Sequence, residues 1–132
     1  MRFLGDVADK AELATVGERM RAADLHTCTA TVATTTTTFG RGILVVLVDG
    51  LTELAAGIAA ATSGLGSQPP DRDARPFNGH LTLARGRGDL RRHRGLPVPG
   101  GPFDVTEVTV VTSRLGGGAG PTYDVVARVP VA

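Results

Sequence analysis

Tryptophan is absent from this 132-residue chain, cysteine and lysine occur once each (Cys28, Lys10), and the aromatic set is four phenylalanines and one tyrosine. A single cysteine excludes an intrachain disulfide and a cysteine-built zinc site. With so few aromatics, the core has to come from Val, Leu, Ile and Ala. The longest strongly apolar run, "ILVVLV" at 43–48, is far too short to cross a bilayer as a helix. The opening "MRFLGDVADK" has no extended apolar stretch of the secretory kind. The expectation is a cytoplasmic protein with no membrane partner. No short tandem repeat is visible.

What is present is an ordinary globular composition, 42% apolar and 20% charged, sized for one domain over 1–132. Formal charge is +1, yet the basic residues are unevenly placed. Arg85, Arg87, Arg91, Arg92 and Arg94 crowd into ten residues against one acid, Asp89. Arginine's planar fork suits phosphate oxygens better than the point charge of lysine. The same bias also follows from a codon usage that favours arginine, so the loop reads either as a track for an RNA backbone or as a solvated basic connection. No aromatic interleaves these arginines, so nothing there suggests a base-stacking platform.

Periodicity gives a coarse layout. Asp9 and Glu12 have capping-box spacing, and Leu13, Val16 and Met20 then share a helical face that fades near Asp24. "TCTATVATTTTT" (27–38) is β-branched and reads as a strand, with its threonine run either an edge or a tolerated repeat. "FGRG" turns the chain into the buried strand 43–48. Leu51, Leu54, Ile58, Ala61 and Leu65 trace a second helix, stopped by Gly64 and Gly66. A proline-marked loop leads to the strand "HLTLAR" at 80–85. Residues 86–102 read as a basic connection with room for one helical turn, followed by strands at 105–113 and 123–131. Pro130 belongs near a strand end or edge. Met1–Leu4 read as the end of a further strand. The mixture predicts an α+β fold with mainly antiparallel sheet.

The chemistry concentrates at 80–85. Side chains two apart on a strand share a face, so His80 and Thr82 project together, roughly 6–7 Å apart. Leu81 and Leu83 take the other face, toward a helix. Imidazole, with an ordinary pKa of about 6.5, exchanges a proton near neutrality, and a hydroxyl donates to a phosphoryl oxygen. A regular strand would turn Arg85 to the opposite face, while Arg87, on the loop, is free to turn inward. Taken alone, His-x-Thr is equally an ordinary half-exposed strand. His26 and His93 read as solvated surface residues, Cys28 as a small buried hydrophobe, and Phe77 and Phe103 as core.

The longer string "RPFNGHLTLAR" resembles the second signature of the 2H phosphoesterases, in the branch of 2′-5′ RNA ligases and RNA 2′,3′-cyclic phosphodiesterases. The matching residues are Arg75, Phe77, His80, Thr82, Leu83, Ala84 and Arg85. The family's proline just before the histidine is replaced by "NG". "FGRGILVVLVDGLTELAAGI", the C-terminal "VTVVTSRLGGGAGPTYDVVARVPV" and the opening "MRFLGDV" fit the same family in the same order.

The resemblance implies two lobes, each contributing a His-x-Thr, with helices on the outer faces of the sheets. It implies chemistry without a metal or cofactor, in which one histidine is the base and the other the acid, and in which His80 and Thr82 are catalytic while Arg85 and Arg87 bind substrate. The partner would be RNA or a nucleotide carrying a 2′,3′-cyclic phosphate or a 2′-5′ linkage. The first His-x-Thr would end at or before Met1, so the N-terminal lobe is expected to be incomplete and turnover impaired. The other reading is a non-catalytic phosphate- or RNA-binding domain. Oligomeric state is not legible.

Overall fold

The computed structural model describes residues 4–5, 10–66, 76–114 and 120–132. The residues expected to end a first strand (1–3), the capping Asp9, Arg75 and most of the Gly-rich turn at 115–119 lie outside this set.

Among the described residues, two helices and six strands form an α+β fold with antiparallel sheets. The elements are α1 (Lys10–Ala22), β1 (Cys28–Phe39), β2 (Ile43–Asp49), α2 (Thr52–Ala61), β3 (His80–Arg85), a 3₁₀ turn (Leu90–His93), β4 (Gly101–Val105), β5 (Glu107–Arg114) and β6 (Thr122–Pro130). β3, β2, β1 and β4 lie in that order in one sheet, and β5 pairs with β6 in a second. None of the described helices is long and apolar enough to cross a membrane.

The core lies where the helices meet the second sheet. Val16 and Met20 of α1 pack with Leu25, Leu54 of α2, Val129 and Val131. α1 stops where Asp24 takes a left-handed φ of 49°, a conformation that a short polar side chain tolerates at a helix end. Arg19 donates to the Ser63 carbonyl, which ties α1 to the end of α2. The two sheets are joined through the chain end: Thr27 N donates to the Ala132 carbonyl, and Ala132 N to that of Leu25.

β1 departs from the expectation of an edge. β2 flanks one side of it, and the other side is covered first by β4, opposite Cys28–Val32. Past an irregularity between Val32 and Thr36, residues 95–98 take over. Gly95 and Val98 donate to the Thr36 and Thr34 carbonyls, and Thr36 N to that of Leu96. The threonine run is therefore an interior strand. Thr36 and Thr38 are buried, and their hydroxyls are satisfied: Thr36 donates to the His93 carbonyl and accepts from Leu96 N, and Thr38 accepts from Arg94. Buried hydroxyls are stable only with such partners.

β4 is the strand that the sequence pattern did not announce, since "GPFDV" carries glycine, proline and aspartate. Three apolar expectations are corrected. Phe77 and Phe103 are 42% and 46% exposed, outside the core. Leu81 and Leu83 are about half exposed on the sheet's edge strand, and no helix among the described residues packs closely on it. Cys28 is half-buried against the core rather than enclosed.

Candidate active site on the edge strand

β3 spans His80–Arg85, the boundaries that its alternation implies, and all six residues are exposed. It pairs antiparallel with β2 in the register Leu47↔His80, Val46↔Leu81 and Val45↔Thr82, then shifts to Leu44↔Ala84 and Ile43↔Arg85. Leu83 is the extra residue. Val45, the cross-strand neighbour of Thr82, is fully buried, so the exposed polar pair borders the sheet's buried interior.

This bulge changes the site. In a regular strand, Arg85 would lie on the face opposite His80 and Thr82. The extra residue shifts the alternation by one, so Arg85 comes opposite Ile43, on the same side of the sheet as Val45 and Leu47. The structure therefore gathers three sequence-nominated residues, His80, Thr82 and Arg85, on one face. Arg87 follows on the exposed loop.

His80 is held at two points. Its Nδ1 lies 2.7 Å from the Asn78 carbonyl oxygen. A carbonyl only accepts, so Nδ1 carries the proton and Nε2 is left for chemistry. The Phe39 ring, from the end of β1, meets the imidazole edge-on, with centroids 4.7 Å apart and planes at 78°, a preferred aromatic geometry. The backbone just before His80 is equally constrained. Val48 N donates to the Gly79 carbonyl at 2.8 Å, and a Cβ on Gly79 would collide with the Val48 carbonyl oxygen. Gly79 of the "NG" spacer is thus a steric requirement of this strand entry.

The Thr82 hydroxyl has no hydrogen-bonding partner among the described residues, and it is exposed beside His80. The basic loop is less free than its composition suggests. Asp89 accepts from the Arg91 side chain and backbone, which lowers its carboxyl pKa to about 2 and raises that of Arg91. Arg92 donates to the His93 ring and Arg94 to Thr38. His26 is exposed, as expected, while His93 is half-buried. No three of His, Cys, Asp and Glu converge as a metal-ligand set among the described residues. A groove of about 460 Å³ lies elsewhere, between α1 (Leu13, Gly17, Arg21) and β6 (Val126, Ala127).

Two contributors were missed in the sequence. Phe39 sat in a stretch read only as a turn, and the Asn78 carbonyl is a backbone group without a residue-type signal. Both contacts depend on tertiary placement.

The chain superposes on the crystal structure of TT0787 from Thermus thermophilus with a TM-score of 0.69. The two share 25% sequence identity, and the match covers 98% of this chain and 74% of that one. No family model matches, and no curated protein matches.

Proposed function

We propose that this chain is a 2H-type phosphoesterase acting on RNA or nucleotides with a 2′,3′-cyclic phosphate, and in the reverse sense on 2′-5′ linkages. The observation that carries this reading is the shared exposed face of β3. There His80 presents Nε2, Thr82 presents an unpartnered hydroxyl, and the bulge at Leu83 brings Arg85 alongside. The likeness of "RPFNGHLTLAR" to the second 2H signature supports it, and so does a fold shared with TT0787 over nearly the whole chain.

In hydrolysis, water attacks phosphorus, the P–O3′ bond breaks, and the product is a 2′-phosphomonoester with a free 3′-hydroxyl. One proton leaves the attacking water and one reaches O3′. Nε2 of His80 can perform either transfer, because Nδ1 is already committed to Asn78. The Thr82 hydroxyl donates to a non-bridging oxygen, and the Arg85 guanidinium offsets charge developing there. A single imidazole cannot be base and acid in one concerted displacement. His80–Leu81–Thr82 is the only His-x-Thr in the sequence. General acid–base groups contribute about 10²–10⁴-fold each, and His80 supplies one of the two transfers.

The test is hydrolysis of a nucleoside 2′,3′-cyclic phosphate, followed by product analysis. His80→Ala should remove measurable turnover, and the wild-type product should be the 2′-phosphate. The second reading, a phosphate-binding domain without catalysis, rests on that single imidazole. It is favoured if the wild type binds the nucleotide without turnover and His80→Ala changes affinity alone.

A further inference from the structure

The turn between β1 and β2 abuts the exit of β3. Gly86 N donates to the Gly42 carbonyl at 3.0 Å, and Leu90 N to that of Arg41 at 2.7 Å. A Cβ on Gly42 would lie 2.6 Å from the Gly86 carbonyl oxygen, so the two loops touch backbone to backbone. This contact fixes Arg41 beside the basic loop, though it lies far upstream of that loop in the sequence.

Sorting the arginines of this region by partner separates two groups. Arg91, Arg92 and Arg94 are engaged by Asp89, His93 and Thr38. Arg41, Arg85 and Arg87 are exposed, and none of their guanidinium groups makes a hydrogen bond or ion pair among the described residues. The loop's one acid, Asp89, is already committed to Arg91. Three uncompensated guanidinium groups thus lie at one end of the four-stranded sheet, continuing from the Thr82 end of β3.

Resting on the reading above, which leaves Arg85 at the reactive phosphate, we propose that Arg41 and Arg87 form a rim that holds backbone phosphates of a single-stranded RNA flanking it, so that the chain takes an oligonucleotide in preference to a mononucleotide. Forked guanidinium donors match phosphate oxygens bidentately. A run of such donors along a strand exit suits a ligand with repeated phosphates. No aromatic side chain lies among them, and Phe39 is already turned onto His80. The rim therefore grips the backbone without reading sequence, and its affinity falls with salt.

The experiment is fluorescence anisotropy with a labelled single-stranded RNA ending in a 2′,3′-cyclic phosphate, titrated at several salt concentrations, beside affinity for a cyclic mononucleotide. Arg41→Ala and Arg87→Ala should each weaken RNA binding several-fold and reduce the salt slope by about 0.7, and Arg41→Ala should leave mononucleotide affinity unchanged. Arg41→Lys should restore the slope while recovering only part of the affinity. Arg114→Ala, on the other sheet and paired with Asp124, is the control and should change nothing. Unchanged RNA affinity and slope in Arg41→Ala, no RNA binding by the wild type, or displacement of RNA by polyglutamate as effectively as by unlabelled RNA would each overturn the proposal. The catalytic reading fails separately, if cyclic-phosphate turnover is absent or indifferent to His80→Ala.

Discussion

The two sheets are built on opposite terms. In the four-stranded sheet, β1 and β2 have partners on both sides, Val45, Val46 and Val48 of β2 are buried, and polar chemistry stands on the exposed edge strand β3. Among the described residues, the second sheet is a ribbon of two strands, β5 and β6. It rests on α1 through Val129 and Val131, and exposes Tyr123, Val125 and Val126 to 54, 50 and 44%. Its exposed ion pairs, Arg128–Glu107 and Arg114–Asp124, contribute at most about 1 kcal/mol each. A lone two-stranded ribbon is marginal in water, so its order depends on the helix beneath it. The site-bearing sheet has its own lateral support. One chain thus carries a self-supported region with the candidate chemistry and a dependent region without it.

The comparison is most strongly tested at the joint. Met20→Ala removes a buried side chain of α1 and should cost about 2–5 kcal/mol. Amide exchange should show protection lost first in β5–β6, with β1–β2 retaining theirs. Simultaneous loss in both sheets would show that the ribbon is no weaker than the rest. Gly79→Ala probes the other sheet. The clash with the Val48 carbonyl must be relieved by moving the entry of β3, at a cost of about 1–3 kcal/mol. Turnover should fall by more than the stability loss explains, while β5–β6 exchange stays as in the wild type. Phe39→Leu should be milder, losing about 0.5–1.5 kcal/mol of ring–ring contact. The readout is imidazole nitrogen NMR, in which His80 should gain a detectable Nε2–H tautomer while His26 is unchanged. The smallest effect concerns Asp89. Its folded pKa of about 2 lies below the ordinary value of 3.8. The stabilisation it lends the 3₁₀ turn is therefore complete above the unfolded pKa and is lost as pH falls through about 2. Carboxyl NMR should place its midpoint there, and Arg91→Ala should move it back toward 3.8.

Much of this was legible because it is local. Val16 and Met20 of the α1 stripe, the double-sided run of β2 and the limits of "HLTLAR" all follow from side-chain period and hold in the structure, while Leu13 lines the groove beside β6 instead of joining the core. What escaped is non-local. β4 exists because the Cys28–Val32 half of β1 needs a partner, and Gly101, with φ at 133°, lets a poor strand sequence supply one. The threonine run reads as an edge until the carbonyl of His93 and the guanidinium of Arg94 are seen to satisfy it. Leu81 and Leu83 alternate with the polar pair in the sequence, yet alternation cannot say whether a helix covers that side or that Leu83 is the residue at which the ladder slips. The position of Arg85 required knowing where the ladder to β2 slips, which no spacing within β3 encodes.

That slip also separates two duties within one short segment. Residues ahead of Leu83 keep phase with the rest of the sheet whatever happens behind it, while everything after it is rotated by half a period. Ironing out the bulge with Leu83 kept in the ladder would send the guanidinium to the rear and leave imidazole and hydroxyl where they were, whereas deleting Leu83 would keep all three in front. Evolution or an engineer can therefore retune how this strand grips an anion without touching how it moves a proton.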